Sequence, residues 1–187
     1  INVSAVLISF LAPLLNITTP LTIIQILFVN LIMDTLAALA FGGIAPLKEY
    51  MKEKPKSRTE SIVSLYMMTM ISILFLKTNS FRPVFRESNG DIVFMTGYFT
   101  SYIFMILINA FNIRTKHINI FNGLFKDKSF LGIIGAIFLV QIIFVFIGGN
   151  IMRTTPLTLV EWSVPVVLGL IVLICGMIFK AMTKQTK

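Results

Sequence analysis

Six apolar runs divide this chain of 187 residues, and they limit its possible folds more than any other sequence feature. An α-helix rises 1.5 Å per residue, so about 20 apolar residues cross the hydrocarbon core of a bilayer. The runs therefore predict an all-α fold, a polytopic bundle of transmembrane helices. The six predicted segments lie at about 1–15, 20–41, 60–77, 92–113, 130–147 and 157–179.

Two of these segments are short for a membrane span. The segment at 1–15 covers roughly 22 Å as a helix, and we interpret it as the outer part of an incomplete helix. The apolar part of the third segment, Ile62 to Leu76, has a similar length. It must recruit flanking polar residues, thin the bilayer locally, or reflect a deletion. Because the sequence opens inside an apolar run without methionine, we expect the back part of a longer protein.

Composition supports a membrane protein and argues against a nucleic-acid partner. Hydrophobic residues make up 56% of the chain, and the mean hydropathy of +0.89 is too high for a soluble domain. The net charge of +8 could suggest nucleic acid. The cations, however, fall in short clusters between apolar runs, as expected for membrane proteins. A single cysteine, Cys175, excludes an internal disulfide bond.

The distribution of cations predicts the orientation of the chain in the membrane. The loops at 41–59 and 113–129 and the tail after residue 179 hold twelve of the sixteen Lys and Arg residues. The loops at 16–19, 77–91 and 149–156 hold the other four. Cytoplasmic loops carry the excess of Lys and Arg. We therefore expect the first set, and with it the C-terminus, to be cytoplasmic.

Asp34 is the only carboxylate deep within an apolar run. A charged residue at the centre of a bilayer helix costs about 2.5–3.5 kcal/mol on insertion scales, so such residues usually have a function. Asn30 lies four residues earlier, which on a helix puts both side chains on one face. Two oxygen donors on one buried face suit a hard cation such as calcium. The alternative is an Asn–Asp pair that hydrogen-bonds neighbouring helices.

The stretch Val29–Ala40, with the sequence VNLIMDTLAALA, resembles the sixth transmembrane helix of P-type calcium-transporting ATPases of the plasma-membrane type. The resemblance continues in order along the whole chain. It includes the basic loop that ends at Arg58, Asn109–Arg114 at the end of the eighth helix, and Gly148 to Trp162 before the tenth. The resemblance implies that this chain supplies helices five, in part, to ten of a ten-helix pump, as one domain covering 1–187.

The resemblance also implies which residues bind the ion. Asn30 and Asp34 match ligands of a helix that is locally unwound, so that side chains and carbonyls converge. Asn2 matches an asparagine ligand of two-site pumps and is a possible minor ligand. The other donors of one site are lost, since apolar or thioether side chains stand where those pumps have glutamate, threonine and glutamate (Ala5, Met33 and Ile106). Calcium takes oxygen ligands, so we expect a single site.

Other parts of a pump must come from outside this chain. It has no aspartate-lysine-threonine-glycine phosphorylation motif and hence no catalytic residue. The resemblance implies partners in an N-terminal part, with helices one to four and the cytoplasmic domains that bind ATP and magnesium. Calcium takes six to eight oxygens, of which Asn30 and Asp34 supply about two to four. We expect the isolated chain to be inactive as an ATPase.

Alternatives to a calcium pump remain open from the sequence. The chain could be a stand-alone channel, carrier or regulatory remnant without ATPase activity. The pump architecture could also transport manganese, which accepts the same oxygen ligands. In each case we expect an integral, multi-pass protein surrounded by lipid, and the resemblance favours the plasma or cell membrane.

Overall fold

A computed structural model of the chain describes residues 2–15, 21–43, 62–78, 80–87, 91–115, 119–121 and 123–185. These residues form helices and contain no β-strand, which confirms the predicted all-α fold. The long helices are α1 (Asn2–Leu14), α2 (Ile23–Gly42), α3 (Ile62–Thr78), α4 (Ile92–Arg114), α5 (Lys128–Ile147) and α6 (Leu159–Gln185).

Four of the described helices are long and apolar enough to cross a membrane, namely α2, α4, α5 and the Leu159–Met182 part of α6. The other two are shorter, with an apolar stretch at Ala5–Leu14 in α1 and 17 residues in α3. Large apolar side chains on the outer faces are exposed, as bilayer-facing residues are expected to be; Ile23, for example, is 85% exposed.

Helix α4 is the centre of the bundle, and most of its residues are buried. It packs most extensively against α6 and also contacts α3 and α5, while α2 packs on α5 and α1 on α3. Two hydroxyl groups on α4 are satisfied within the helix. Thr96 Oγ1 donates to the Ile92 carbonyl at 2.7 Å, and Ser101 Oγ donates to the Gly97 carbonyl at 2.7 Å. Polar residues can therefore lie at the centre of an apolar bundle.

Two glycines of α6 let this helix approach α4 closely. A Cβ at Gly169 would lie 3.1 Å from the Ile108 side chain, and a Cβ at Gly176 would overlap the Asn112 amide. Asn112 Nδ2 also donates a 3.2 Å hydrogen bond to the Val172 carbonyl. Small residues at such interfaces allow membrane helices to pack through dispersion contacts, because no hydrophobic force drives them together in lipid.

The helix ends differ from the predicted segments at two places. Helix α6 continues to Gln185, past the predicted end at 179, because Ala, Met, Lys and Gln continue a helix after the apolar run stops. The predicted outer loop after Gly148 contains a four-residue helix, Gly149–Met152. The basic loop around Lys52 and the histidine at 117 lie outside the described residues.

Candidate functional site

A π-helical turn, Val29–Met33, interrupts α2 just before Asp34. The main-chain N–H of Asp34 donates to the Val29 carbonyl, five residues earlier, rather than to the Asn30 carbonyl as in an α-helix. Thr35 Oγ1 donates to the Leu31 carbonyl at 2.5 Å. Such single π-turns are frequent at functional sites. The change in helical geometry lies where the resemblance implied a locally unwound helix.

Asn30 lies within this turn and Asp34 directly follows it, and both are half-buried. A π-turn has more than four residues per turn, so side chains four residues apart stay close to one face. Asn30 Oδ1 is buried and has no hydrogen-bond partner among the described residues. In the same part of the chain, no residue forms an ion pair with the Asp34 carboxylate. The pair thus presents oxygens that other described side chains leave unused.

Aromatic contacts anchor α2 on both sides of the π-turn. Before the turn, the Phe28 ring packs against Phe99 of α4 and Phe144 of α5, with centroid distances of 6.3 and 4.5 Å. After it, Phe41 packs against Phe130 of α5 at 5.7 Å. These ring contacts fix the depth of α2 against α4 and α5 on both sides of the π-turn.

The N-terminal end of α2 is held by a buried amide. Gln25 is 2% exposed, and its Nε2 donates to the Met152 carbonyl at 2.9 Å, which ties α2 to the turn between α5 and α6. Its Oε1 accepts from the Thr22 N–H at 2.9 Å, while Thr22 Oγ1 accepts from the Gln25 N–H at 3.2 Å. These two bonds form a capping box at the start of α2.

The resemblance implies that oxygen donors are lost at three positions, and the structure describes the side chains at two of them. Ala5 on α1 is fully buried, and Ile106 on α4 is 7% exposed. Neither side chain can coordinate calcium. The side chains of Met33 and Asn2 lie outside the described residues, so the proposed minor ligand Asn2 stays a prediction.

The described residues contain no cluster of three or more His, Cys, Asp or Glu side chains that could hold a metal ion. Asn30 Oδ1 and the two Asp34 oxygens are the side-chain donors of α2 beside the π-turn. Calcium takes six to eight oxygens, so these three could supply at most part of a calcium site.

The sequence did not lead us to predict a structural role for the buried carboxylate of Glu161, at the N-terminal end of α6. Glu161 is 2% exposed and accepts hydrogen bonds from the main-chain N–H groups of Thr158 at 2.7 Å and Arg86 at 3.1 Å. Its carboxylate also lies 3.4 Å from Arg86 Nε. The signal was present in the sequence, because Thr158-x-x-Glu161 before an apolar run is a capping-box pattern, as is Thr22-x-x-Gln25.

The apolar helices define the chain as a multi-pass membrane protein, and comparison with known families identifies its class. Residues 18–182 match the family described as cation transporting ATPase, C-terminus. The match covers most of the chain, and the chain belongs to this family. It is a multi-pass membrane protein whose α2 carries Asn30 and Asp34 inside an apolar span.

Individual relatives narrow the similarity to calcium pumps of the plasma-membrane type. The plasma membrane calcium-transporting ATPase mca-1 of Caenorhabditis elegans is 33% identical over 95% of this chain and 16% of its own length. Calcium-transporting ATPase 12, plasma membrane-type, of Arabidopsis thaliana is 33% identical over 90% of this chain and 17% of its own length. Calcium-transporting ATPase 1, plasma membrane-type, of Oryza sativa subsp. japonica is 30% identical over 100% of this chain and 19% of its own length. The predicted resemblance is confirmed, and the chain spans less than a fifth of these relatives.

Proposed function

We propose that residues 1–187 form the C-terminal membrane domain of an ATP-driven calcium pump, in which Asn30 and Asp34 bind the transported ion. The observation that carries this proposal is the unpartnered, buried Asn30 Oδ1 beside the π-turn. Buried polar atoms are normally hydrogen-bonded, so a structural Asn–Asp pair would have partners on neighbouring helices. Oxygens without such partners fit ligands for a cation better than they fit a structural pair.

A single calcium site is the stoichiometry that the residues favour. The two buried positions on α1 and α4, Ala5 and Ile106, offer hydrocarbon where a second site would need oxygen. Asp34 then carries the only carboxylate that this chain contributes within an apolar span. The ion would be neutralised by Asp34 together with groups from the rest of the pump.

The remaining functions of the pump belong to segments outside this chain. Helices one to four would complete the calcium cage, and cytoplasmic domains would bind ATP and magnesium and accept the phosphoryl group. The isolated chain should insert into a membrane and show no calcium-stimulated ATPase activity. We place the full protein in the plasma or cell membrane with its C-terminus cytoplasmic, as the distribution of cations predicts.

Manganese is the second candidate ion because its preferred ligands are the same oxygens that Asn30 and Asp34 offer. The calcium-transporting ATPases that resemble the chain favour calcium. A stand-alone channel, carrier or remnant would instead need no catalytic domain. Reading the encoding DNA upstream, in the same frame, for the phosphorylation motif decides between a pump and a stand-alone membrane protein.

Equilibrium binding of radioactive calcium to the purified full-length pump tests the ligand assignment. We expect one ion per pump, no binding or transport by Asp34→Asn, and weaker binding by Asn30→Ala, which keeps the charge. Asp91→Asn is the matched control, since this carboxylate lies outside the membrane spans and pairs with Arg82. Two ions per pump, or a folded Asp34→Asn protein that still transports, would contradict the proposal. Displacement of calcium by equimolar manganese would make manganese the transported ion.

A further inference from the structure

Gln141 is a fully buried amide in the middle of the most apolar helix, α5. Its side chain is 0% exposed, and neither Oε1 nor Nε2 has a hydrogen-bond partner among the described residues. It lies on the buried stripe of this helix, whose other members are apolar: Phe130, Ile134, Ile137 and Val145. A leucine would fill a similar volume without an unpaired polar group, so packing alone gives no reason for an amide here.

Ring contacts place Gln141 at the depth of the π-turn. Along α2, Phe28 precedes the turn and packs on Phe144, and Phe41 follows the turn and packs on Phe130. The two helices therefore run antiparallel, with residue 28 level with 144 and residue 41 level with 130. Gln141 lies three residues from Phe144 toward Phe130, which brings it level with Leu31, the middle residue of the π-turn.

The same contacts show which helices Gln141 faces. On α5, Phe138 packs against Phe104 of α4 at 4.9 Å, and Phe144 packs against Phe28 of α2 at 4.5 Å. Gln141 lies midway between Phe138 and Phe144 in the sequence, so its direction on the helix falls between those of the two rings. It therefore points into the junction of α2, α4 and α5, behind the π-turn.

Other unpartnered polar atoms lie in the same layer. Thr100 on α4 is 0% exposed, and its Oγ1 has no hydrogen-bond partner among the described residues. The contact of Phe28 with Phe99 places Thr100 and Asn30 within about one helical turn of depth. Asn30, Thr100 and Gln141 thus lie at a similar depth on three helices, and the Thr100 hydroxyl and Gln141 amide are the two polar groups of this layer on α4 and α5.

Because this layer holds both donors and acceptors, it suits hydrogen bonding to peptide groups better than direct binding of a cation. The Gln141 Nε2 carries two N–H donors, which would repel a cation but can donate to main-chain carbonyls. A π-turn supplies such carbonyls, since it shifts the Asp34 N–H away from the acceptor that it would have in an α-helix.

We propose that Gln141 is a positioning residue of the ion site. Its amide donates to the main chain of the π-turn through one water shared with Thr100, and this bridge keeps Asn30 and Asp34 in the ion-binding orientation. The inference rests on the proposed function, because it assigns a role in binding the ion that α2 carries.

Replacing the amide separates this role from a structural one. In the full-length pump, Gln141→Leu should lower apparent calcium affinity about 2- to 12-fold, the effect of one neutral hydrogen bond. It should leave thermal stability equal or higher, because burying an amide without a direct protein partner costs more than its water-mediated bond returns. Gln141→Met repeats the test with a more flexible side chain, and Ile137→Leu on the same stripe is the matched control. In an Asn30→Ala background the effect of Gln141→Leu should shrink, since the two residues act on one site.

Each result supports or contradicts the inference. A wild-type pump that binds no calcium would overturn the proposed function and this inference with it. Wild-type binding with unchanged affinity in stable Gln141→Leu and Gln141→Met variants would overturn the inference alone. Lower thermal stability in both variants would assign Gln141 to folding and would also overturn it.

Discussion

The side-chain amide of Gln25 and the main-chain carbonyl of Met152 form a 2.9 Å hydrogen bond across 127 residues of sequence. The bond joins the N-terminal end of α2 to the turn between α5 and α6. Gln25 is 2% exposed, so water does not replace the bond when it is lost. The N-terminal part of α2 is therefore fixed to the bundle before the π-turn begins.

Replacing Gln25 with leucine should destabilise the protein by about 1–3 kcal/mol, because the buried Met152 carbonyl loses its partner and the capping box is broken. Thermal unfolding in a mild detergent measures the change. Ile23→Leu is the control, since Ile23 is 85% exposed and should be neutral. Equal midpoints for Gln25→Leu and the wild type would contradict a structural role for this bond.

Glu161→Ala should also lower stability, by about 1–3 kcal/mol, because the Thr158 and Arg86 N–H groups lose a charged acceptor. Glu161→Gln should lower it less, since an amide oxygen can still accept from the Thr158 N–H. The comparison is Asp91→Asn, which removes the charge of a pair with Arg82 and keeps a residue that tolerates the left-handed backbone at this position. The Asp91 and Arg82 side chains are 43% and 47% exposed, so the expected change is below about 1 kcal/mol. Unfolding midpoints in the same detergent rank the variants, and a larger loss in Asp91→Asn than in Glu161→Ala would refute this ranking.

Gly176→Ala should separate α4 from α6, because a Cβ there would overlap the Asn112 side chain. We expect a loss of about 1–3 kcal/mol, typical of overpacking in a tight core. Gly132→Ala on α5 is the control: a Cβ there meets no atom within 4 Å, so it should be neutral or stabilise by up to about 1 kcal/mol. If both alanine variants unfold at the same temperature, the close approach at Gly176 is not required.

The orientation in the membrane can be tested with single cysteines in a Cys175→Ser background. Lys52→Cys and Lys184→Cys should be protected from an impermeant thiol reagent in intact cells, and Arg153→Cys should be labelled. The reason is the excess of cations on one side of the membrane, twelve of sixteen. Permeabilised cells serve as the control for reactivity. Labelling of position 52 from outside intact cells would reverse the predicted topology.

The candidate residues could be proposed from the sequence, and they stay a prediction. An isolated carboxylate in an apolar run is costly, so Asp34 stands out in the sequence, and Asn30 follows from the four-residue spacing. The resemblance implied local unwinding here, but the hydropathy of Val29–Met33 carries no signal for a π-turn. The roles of Gln25 and Glu161 were within reach, since both complete capping boxes whose residues can be read directly.

The sequence alone determined the all-α class and the position of the long helices, since a chain in lipid must satisfy its backbone hydrogen bonds within each apolar segment. Tertiary structure decided which faces of those helices meet, because van der Waals packing, unlike hydropathy, depends on the partner surface. Gly169 and Gly176 bring α6 onto α4, and the rings of Phe28 and Phe41 fix α2 on both sides of the π-turn. The depth shared by Asn30, Thr100 and Gln141 is a product of that packing.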